Sequence, residues 1–296
     1  MKSKALVFMR TAAVIPVAAA TLFFAKQLPA GNPNFAPLGG TGAYWACKPR
    51  PDSLADGNSR TDTSSFAKAV PIYGDGTNRI TLEGARALKA ELDSKALGMI
   101  GALGDDTASK SAFGAAKWML GEYYNAGYRC LISGHLDMAL SFASFAEAHM
   151  GVYSGPSAGS KSAWKNISKI YELKGLALLG KAYAFSLLGN DCIDRLDNES
   201  AAREFKAAEP FFQGADTAAR RAAAYNPRMA TPYFIIASAN EALRAMMLVF
   251  AERESDAGMA AKYSNKAAYF GEIAEKNEKI YSQRKDELRK SRQGVD

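Results

Sequence analysis

The chain has 296 residues and a mass of 31.7 kDa, enough for one large domain or for a repeat array with a core along its length. Hydrophobic residues make up 48% and charged residues 23%, which excludes a chain too polar to fold. The net charge is +7, but setting aside Lys2, Lys4, Arg10 and Lys26 leaves 33 positive against 30 negative side chains, and no dense run of Lys and Arg follows, so no nucleic-acid partner is expected.

Residues 1–30 carry a basic start (Lys2, Lys4, Arg10), an uncharged apolar stretch from Thr11 to Ala25, and the small-residue site Leu28-Pro29-Ala30. This is the three-part layout of a secretory signal. The stretch is short of the ~20 residues that span a bilayer, although Ala5 to Ala25 reaches that length if Arg10 snorkels. An uncleaved membrane anchor through residues 5–25 is therefore a second reading. A mitochondrial presequence is a third, since the first acid is Asp52, but such a segment would be amphipathic and Thr11 to Ala25 is apolar on all faces. The expected location is periplasmic or secreted, with anchoring to the inner membrane or mitochondrial import as alternatives.

Residues 31–80 are rich in Gly, Pro, Asn, Asp and Ser, as in Gly31-Asn32-Pro33-Asn34 and Pro49-Arg50-Pro51-Asp52. Such clusters oppose long helices. They predict an extended arm with a turn at Gly74-Asp75-Gly76-Thr77-Asn78. Phe35, Tyr44, Trp45, Phe66 and Tyr73 are the residues to pin it to a body.

From Thr81 to residue 292 the pattern is helical. The predicted helices cover about 81–103 (capped by Thr81), 107–126 (capped at Asp105-Asp106-Thr107), 134–151, 161–189, 198–225, 232–254 and 257–291. Gly189-Asn190 and Asn226-Pro227 serve as stops, and Gly151 to Ser160 forms a Gly/Ser loop. The expected fold class is all-α: antiparallel hairpins stacked as a solenoid or gathered as a helical bundle, after an extended N-terminal arm.

Two helices share a short motif. Leu120-Gly121-Glu122-Tyr123-Tyr124 and Leu179-Gly180-Lys181-Ala182-Tyr183 both fit L-G-x-x-Y, 59 residues apart. Each is followed by an Ala-rich helix, with Ala139, Phe142 and Ala146 in the first and Ala201, Phe205 and Ala208 in the second. Gly121 and Gly180 would permit close helix contact, and Tyr124 and Tyr183 would fill the groove one turn on. The pattern resembles the tetratricopeptide repeat over about residues 107–225, with a degenerate pair at 232–291. The spacing departs from that family, whose repeat is shorter. The resemblance implies a stack of helical hairpins with a concave face that binds a peptide or partner subunit.

Little in the chain points to catalysis. His135 and His149 are the two histidines; on one helix they are about 21 Å apart, too far to share a metal. Cys47, Cys130 and Cys192 lack C-x-x-C spacing. Cys130 and Cys192 both follow the first helix of a unit, so either a disulfide joins them or all three thiols stay reduced and buried. The Gly155–Ser162 segment lacks the register of a phosphate-binding loop, and Asp191, Asp194 and Asp197 read as loop and cap residues. Trp118, Met119, Tyr124, Phe142, Phe145 and Trp164 sit at helical spacings and are expected in the core. Arg220-Arg221 with Arg228, and the cations of the tail, read as solvated faces.

The expectation is a non-catalytic protein-binding scaffold, or an accessory subunit of an envelope-associated complex, without cofactor or metal. Its partner-binding residues, near the loop ends, are Tyr123, Tyr128, Lys181 and Tyr225. Two alternatives stay open: a small-molecule-binding component of an envelope transport system, and a helical envelope enzyme with two carboxylates in one cleft.

Overall fold

The computed structural model describes residues 79–103, 110–149, 161–194 and 197–292, and no strand occurs among them. The seven helices are α1 (Leu82–Leu103), α2 (Lys110–Ile132), α3 (Leu136–His149), α4 (Lys161–Asp194), α5 (Asn198–Tyr225), α6 (Thr231–Arg253) and α7 (Ala257–Arg292). The all-α expectation holds for this region. The secretory segment 1–30, nearly all of the 31–80 arm, the Gly/Ser loop and Cys47 lie outside the described residues.

Local chemistry explains the boundaries. α2 ends in a Schellman turn: Gly134 takes φ 82°, its N–H bonds to Leu131 O, and His135 N–H reaches Cys130 O at 2.9 Å. A β-carbon would oppose that left-handed backbone. Asp197 caps α5 by accepting from Ser200 N–H at 3.0 Å, and Pro232 opens α6, where a missing N–H costs nothing. The end of the arm that is described, Ile80, docks on the α2–α3 turn. Its N–H donates to Ser133 Oγ at 2.9 Å and its carbonyl lies 3.0 Å from His135 Nε2.

Two predicted helix ends fall short of the observed ones, and each lies beside a glycine. α2 continues past residue 126, with Gly127 inside it, and α4 runs through Gly189-Asn190 to Asp194. Neither glycine is a stop. A β-carbon at Gly127 would overlap Leu173 and lie 3.1 Å from Phe142 Cβ; one at Gly189 would lie 2.7 Å from the Phe205 ring. Both remain helical because a neighbouring helix closes on them.

The packing order follows the chain. α3 runs back along α2 and antiparallel to α4: Asp137, at its start, pairs with Lys181, and Glu147, near its end, pairs with Lys174. α5 returns along α4, with Phe205 over Gly189 at one end and Tyr225 stacked on Tyr171 at the other. Its inward stripe is Ala201, Phe205, Ala208, Phe212, Ala215, Ala219 and Ala222, spaced by three and four residues. α6 lies parallel to α4, with Thr231 beside Glu172 and Ser238 O accepting from Tyr183 Oη. α7 returns along α6, with Tyr281 against Phe234 and Tyr263 against Phe250. α2 also touches α4.

Among the described residues α6 is the helix long and apolar enough to cross a membrane, and 56% of its apolar window is buried inside the fold. Ile235, Leu243 and Met247 are fully enclosed. α7 buries Ala267, Ala274 and Asn277 and turns most of its other residues, many charged, to solvent.

Candidate functional site

The four residues expected to bind a partner do not share one surface. Tyr123 is fully buried: its ring stacks on Phe145 at 4.9 Å, meets Phe142 edge-on at 5.9 Å, and its hydroxyl donates to Asp93 at 2.6 Å. It is a core residue of the α1–α2–α3 junction, a correction of the expected role. Lys181 is tied down, pairing with Asp137 at 2.6 Å and lying 5.0 Å above the Phe211 ring. It links α4 to α3 and α5. Tyr128 is half-buried and stacks on Tyr124 at 5.8 Å. Tyr225 alone of the four is exposed, at 38%.

The motif residues divide likewise. Gly121 does not make the close contact expected of it, since a β-carbon there would meet nothing within 4 Å. The crossing of α2 over α4 falls nearly two turns further on, at Gly127. Gly180 is buried in α4. Tyr124 sits under Lys169 of α4, 5.1 Å from the ammonium, so it bridges to α4 rather than to α3. It is Tyr123 that fills the groove against α3. Tyr183 does fill the groove against α5, edge-on to Phe212 at 5.4 Å. Gly121→Ala is expected to raise stability by up to about 1 kcal/mol, through helix propensity alone. Gly127→Ala is expected to lower it, because overpacking two enclosed side chains by about 1–3 kcal/mol outweighs the same gain. Melting temperatures moving in the same direction would place the crossing elsewhere.

Cys130 and Cys192 are not bridged. Gly127 faces Leu173, so Cys130 lies level with about Leu176, and Cys192 is about 24 Å further along α4. Burial pushes the Cys130 thiol up to about 11, which makes it inert at neutral pH.

Two features outside these expectations stand out. The first is Glu172, only 6% exposed, where α4 meets the start of α6. Burial raises its carboxyl to about 7, against the opposing hydrogen bond from Thr231 and the charge of Lys169. The dominant effect is therefore desolvation, which disfavours the charged carboxylate. The second is a pair of stacked tyrosines with an arginine, near the start of α4 and the end of α5. Trp164, expected in the core, is 45% exposed. It lies on the α5-facing stripe of α4, two turns before Tyr171. Ser168, between them, donates to Ala222 O at 2.8 Å, one turn before the end of α5, and touches Met229 Sδ at 3.0 Å. Tyr171 stacks on Tyr225 at 5.9 Å, with the Arg221 guanidinium 5.6 Å above the Tyr171 ring and 3.0 Å from Glu147.

Among the described residues no three His, Cys, Asp or Glu side chains converge as metal ligands. No protein-family model, curated protein or solved structure matches the chain.

Proposed function

We propose that the protein is a non-catalytic scaffold or accessory subunit that binds a protein or peptide partner in an envelope-associated complex, after export directed by residues 1–30. One observation carries the reading: α2, α4 and α6 follow one another through direct contacts, while α3, α5 and α7 each fold back as the second arm of a hairpin. A stack of this kind presents long surfaces and needs no central pocket. The charged outer side of α7 supports it, since a terminal unit of a stack has to face water. The L-G-x-x-Y resemblance to tetratricopeptide repeats points the same way, and the basic–apolar–small layout of residues 1–30 supports export.

The test is purification of the full chain, tagged at its C-terminus, from native membranes and soluble fractions. Mass spectrometry identifies co-purifying proteins and the mature N-terminus. The expected result is one partner in fixed stoichiometry through gel filtration, and a chain beginning at Gly31. A monomer without a partner overturns the scaffold, and an intact Met1 replaces cleavage by anchoring.

A further inference from the structure

We propose that the open side of the C-terminal end of α4 is the docking site for the chain's own N-terminal arm, through the apolar residues 66–73, which lie outside the described residues. The inference needs no partner and stands apart from the scaffold reading.

The site begins where two helices stop. α2 runs parallel to α4, with Tyr124 under Lys169 and Gly127 against Leu173. At about 100° per residue that side of α4 continues through Ala177, Gly180, Ala184, Leu187 and Leu188. Ala177 and Gly180 are buried. α2 then ends at Ile132, and α3 begins at Leu136, next to the Asp137 that pairs with Lys181. Beyond Lys181 the same side opens: Ala184 and Leu188 are half-buried and Leu187 is 43% exposed. The other sides of α4 are held at this level, by Phe211 of α5 stacked on Phe185 and by Ser238 of α6 bonded to Tyr183. What remains is an apolar face with firm flanks, on the side that α2 covers earlier in the helix.

The arm arrives beside it. Ile80 is fixed on the α2–α3 turn by both backbone groups, its N–H on Ser133 Oγ and its carbonyl beside His135 Nε2. That turn is level with Lys181 and one helix spacing, about 10 Å, from α4. Leu187 is about 9 Å further along the axis, so roughly 14 Å separates it from the turn. Residues 74–79 are a polar spacer, Gly-Asp-Gly-Thr-Asn-Arg, and residues 66–73 before them are Phe-Ala-Lys-Ala-Val-Pro-Ile-Tyr, with Lys68 as the one charge. Even with the expected turn inside it, the spacer carries Tyr73 up to roughly 20 Å from Ile80. Ile72 and Tyr73 therefore reach Leu187, and Val70 and Phe66 follow in the same run. Tyr44 and Trp45 stand behind the mostly polar residues 48–65. Size selects this occupant over a free one. One exposed leucine between half-buried neighbours is far short of the roughly 800 Å² per side of a stable interface between separate chains. A tethered segment binds at an effective concentration of about millimolar and needs much less.

Brief trypsin digestion of the full chain, with mass spectrometry of the fragments, measures the docking at Lys68. The protease cuts there only when the segment leaves the surface. Cleavage after Lys68 is expected to be about tenfold faster, or more, in Leu187→Asp than in the parent, and as fast in Ile72→Asp, with cleavage inside the helices unchanged. Ile72 precedes all the helices, so its variant decides the matter should Leu187→Asp fold poorly. A parent cut at Lys68 as fast as the two variants overturns the proposal. Protection that disappears on dilution, together with a dimer on gel filtration, overturns it in favour of a second copy. Protection present only while a co-purified protein is bound gives the face to that partner instead.

Discussion

Phe142→Ala is expected to destabilise the fold by about 3–5 kcal/mol, the range for removing a large enclosed ring. Phe142 is fully buried on α3. Tyr123 of α2 meets its edge at 5.9 Å, the Lys89 ammonium of α1 lies 5.8 Å above its face, and its Cβ approaches the backbone of Gly127. Two helices, α1 and α2, thus close on one α3 side chain, and neither can move in to fill the void. Gly127 is already backbone against side chain, and the Tyr123 hydroxyl is fixed to Asp93. The site should therefore sit at the costly end of the range, because the surroundings cannot collapse. Denaturant unfolding of the full chain and the variant measures the difference. A loss below about 1 kcal/mol, as for an exposed position, would mean that α3 does not pack on α1 and α2 in this way.

The fold was legible where a single helix carries its own signal. The α5 stripe from Ala201 to Ala222 keeps the helical spacing without interruption, and Asn226-Pro227 followed by Pro232 fixes the turn into α6. The site was harder to read because it depends on what another helix brings. Tyr123 and Tyr124 are adjacent and chemically identical, but they point about 100° apart on a helix. Only the presence of Asp93 and Phe145 opposite decides that Tyr123 is the core residue. The L-G-x-x-Y motif selects Gly121, while the crossing selects Gly127, and nothing in the local sequence says where Leu173 will fall. Periodicity places Trp164 on the correct stripe of α4. Its 45% exposure is not written in that stripe, because it depends on what the neighbouring helices bring up to the first turn of α4.

Glu172 shows the same dependence most sharply. In the sequence it stands between Tyr171 and Leu173, and nothing local marks it as buried. Lys174 reaches across to Glu147, and α6 lays Thr231 over the carboxyl. Lys169 acts on Glu172 at a distance and offsets only part of the burial. The carboxyl is therefore raised from its ordinary value to about 7.

Glu172→Gln is expected to stabilise the protein above neutral pH and to leave it unchanged in acid. The sign follows from proton uptake. Below about pH 4.5 the carboxyl is protonated both folded and unfolded, and burial carries no charge penalty. Between about 4.5 and 7 the folded chain keeps the proton that the unfolded chain releases, so stability falls as pH rises. Above about 7 both states are ionised and the full penalty is present, on the order of 3 kcal/mol. Glutamine keeps the shape and can accept from the Thr231 hydroxyl without the charge. Melting curves of parent and variant from pH 4.5 to 8.5 should separate steadily, the variant melting several degrees higher at the alkaline end. A variant less stable at every pH would mean that Lys169 holds the carboxylate as a true ion pair, whose breaking leaves the remaining charge uncompensated. The expected result instead identifies a carboxyl whose burial under α6 outweighs both the Thr231 hydrogen bond and the Lys169 charge.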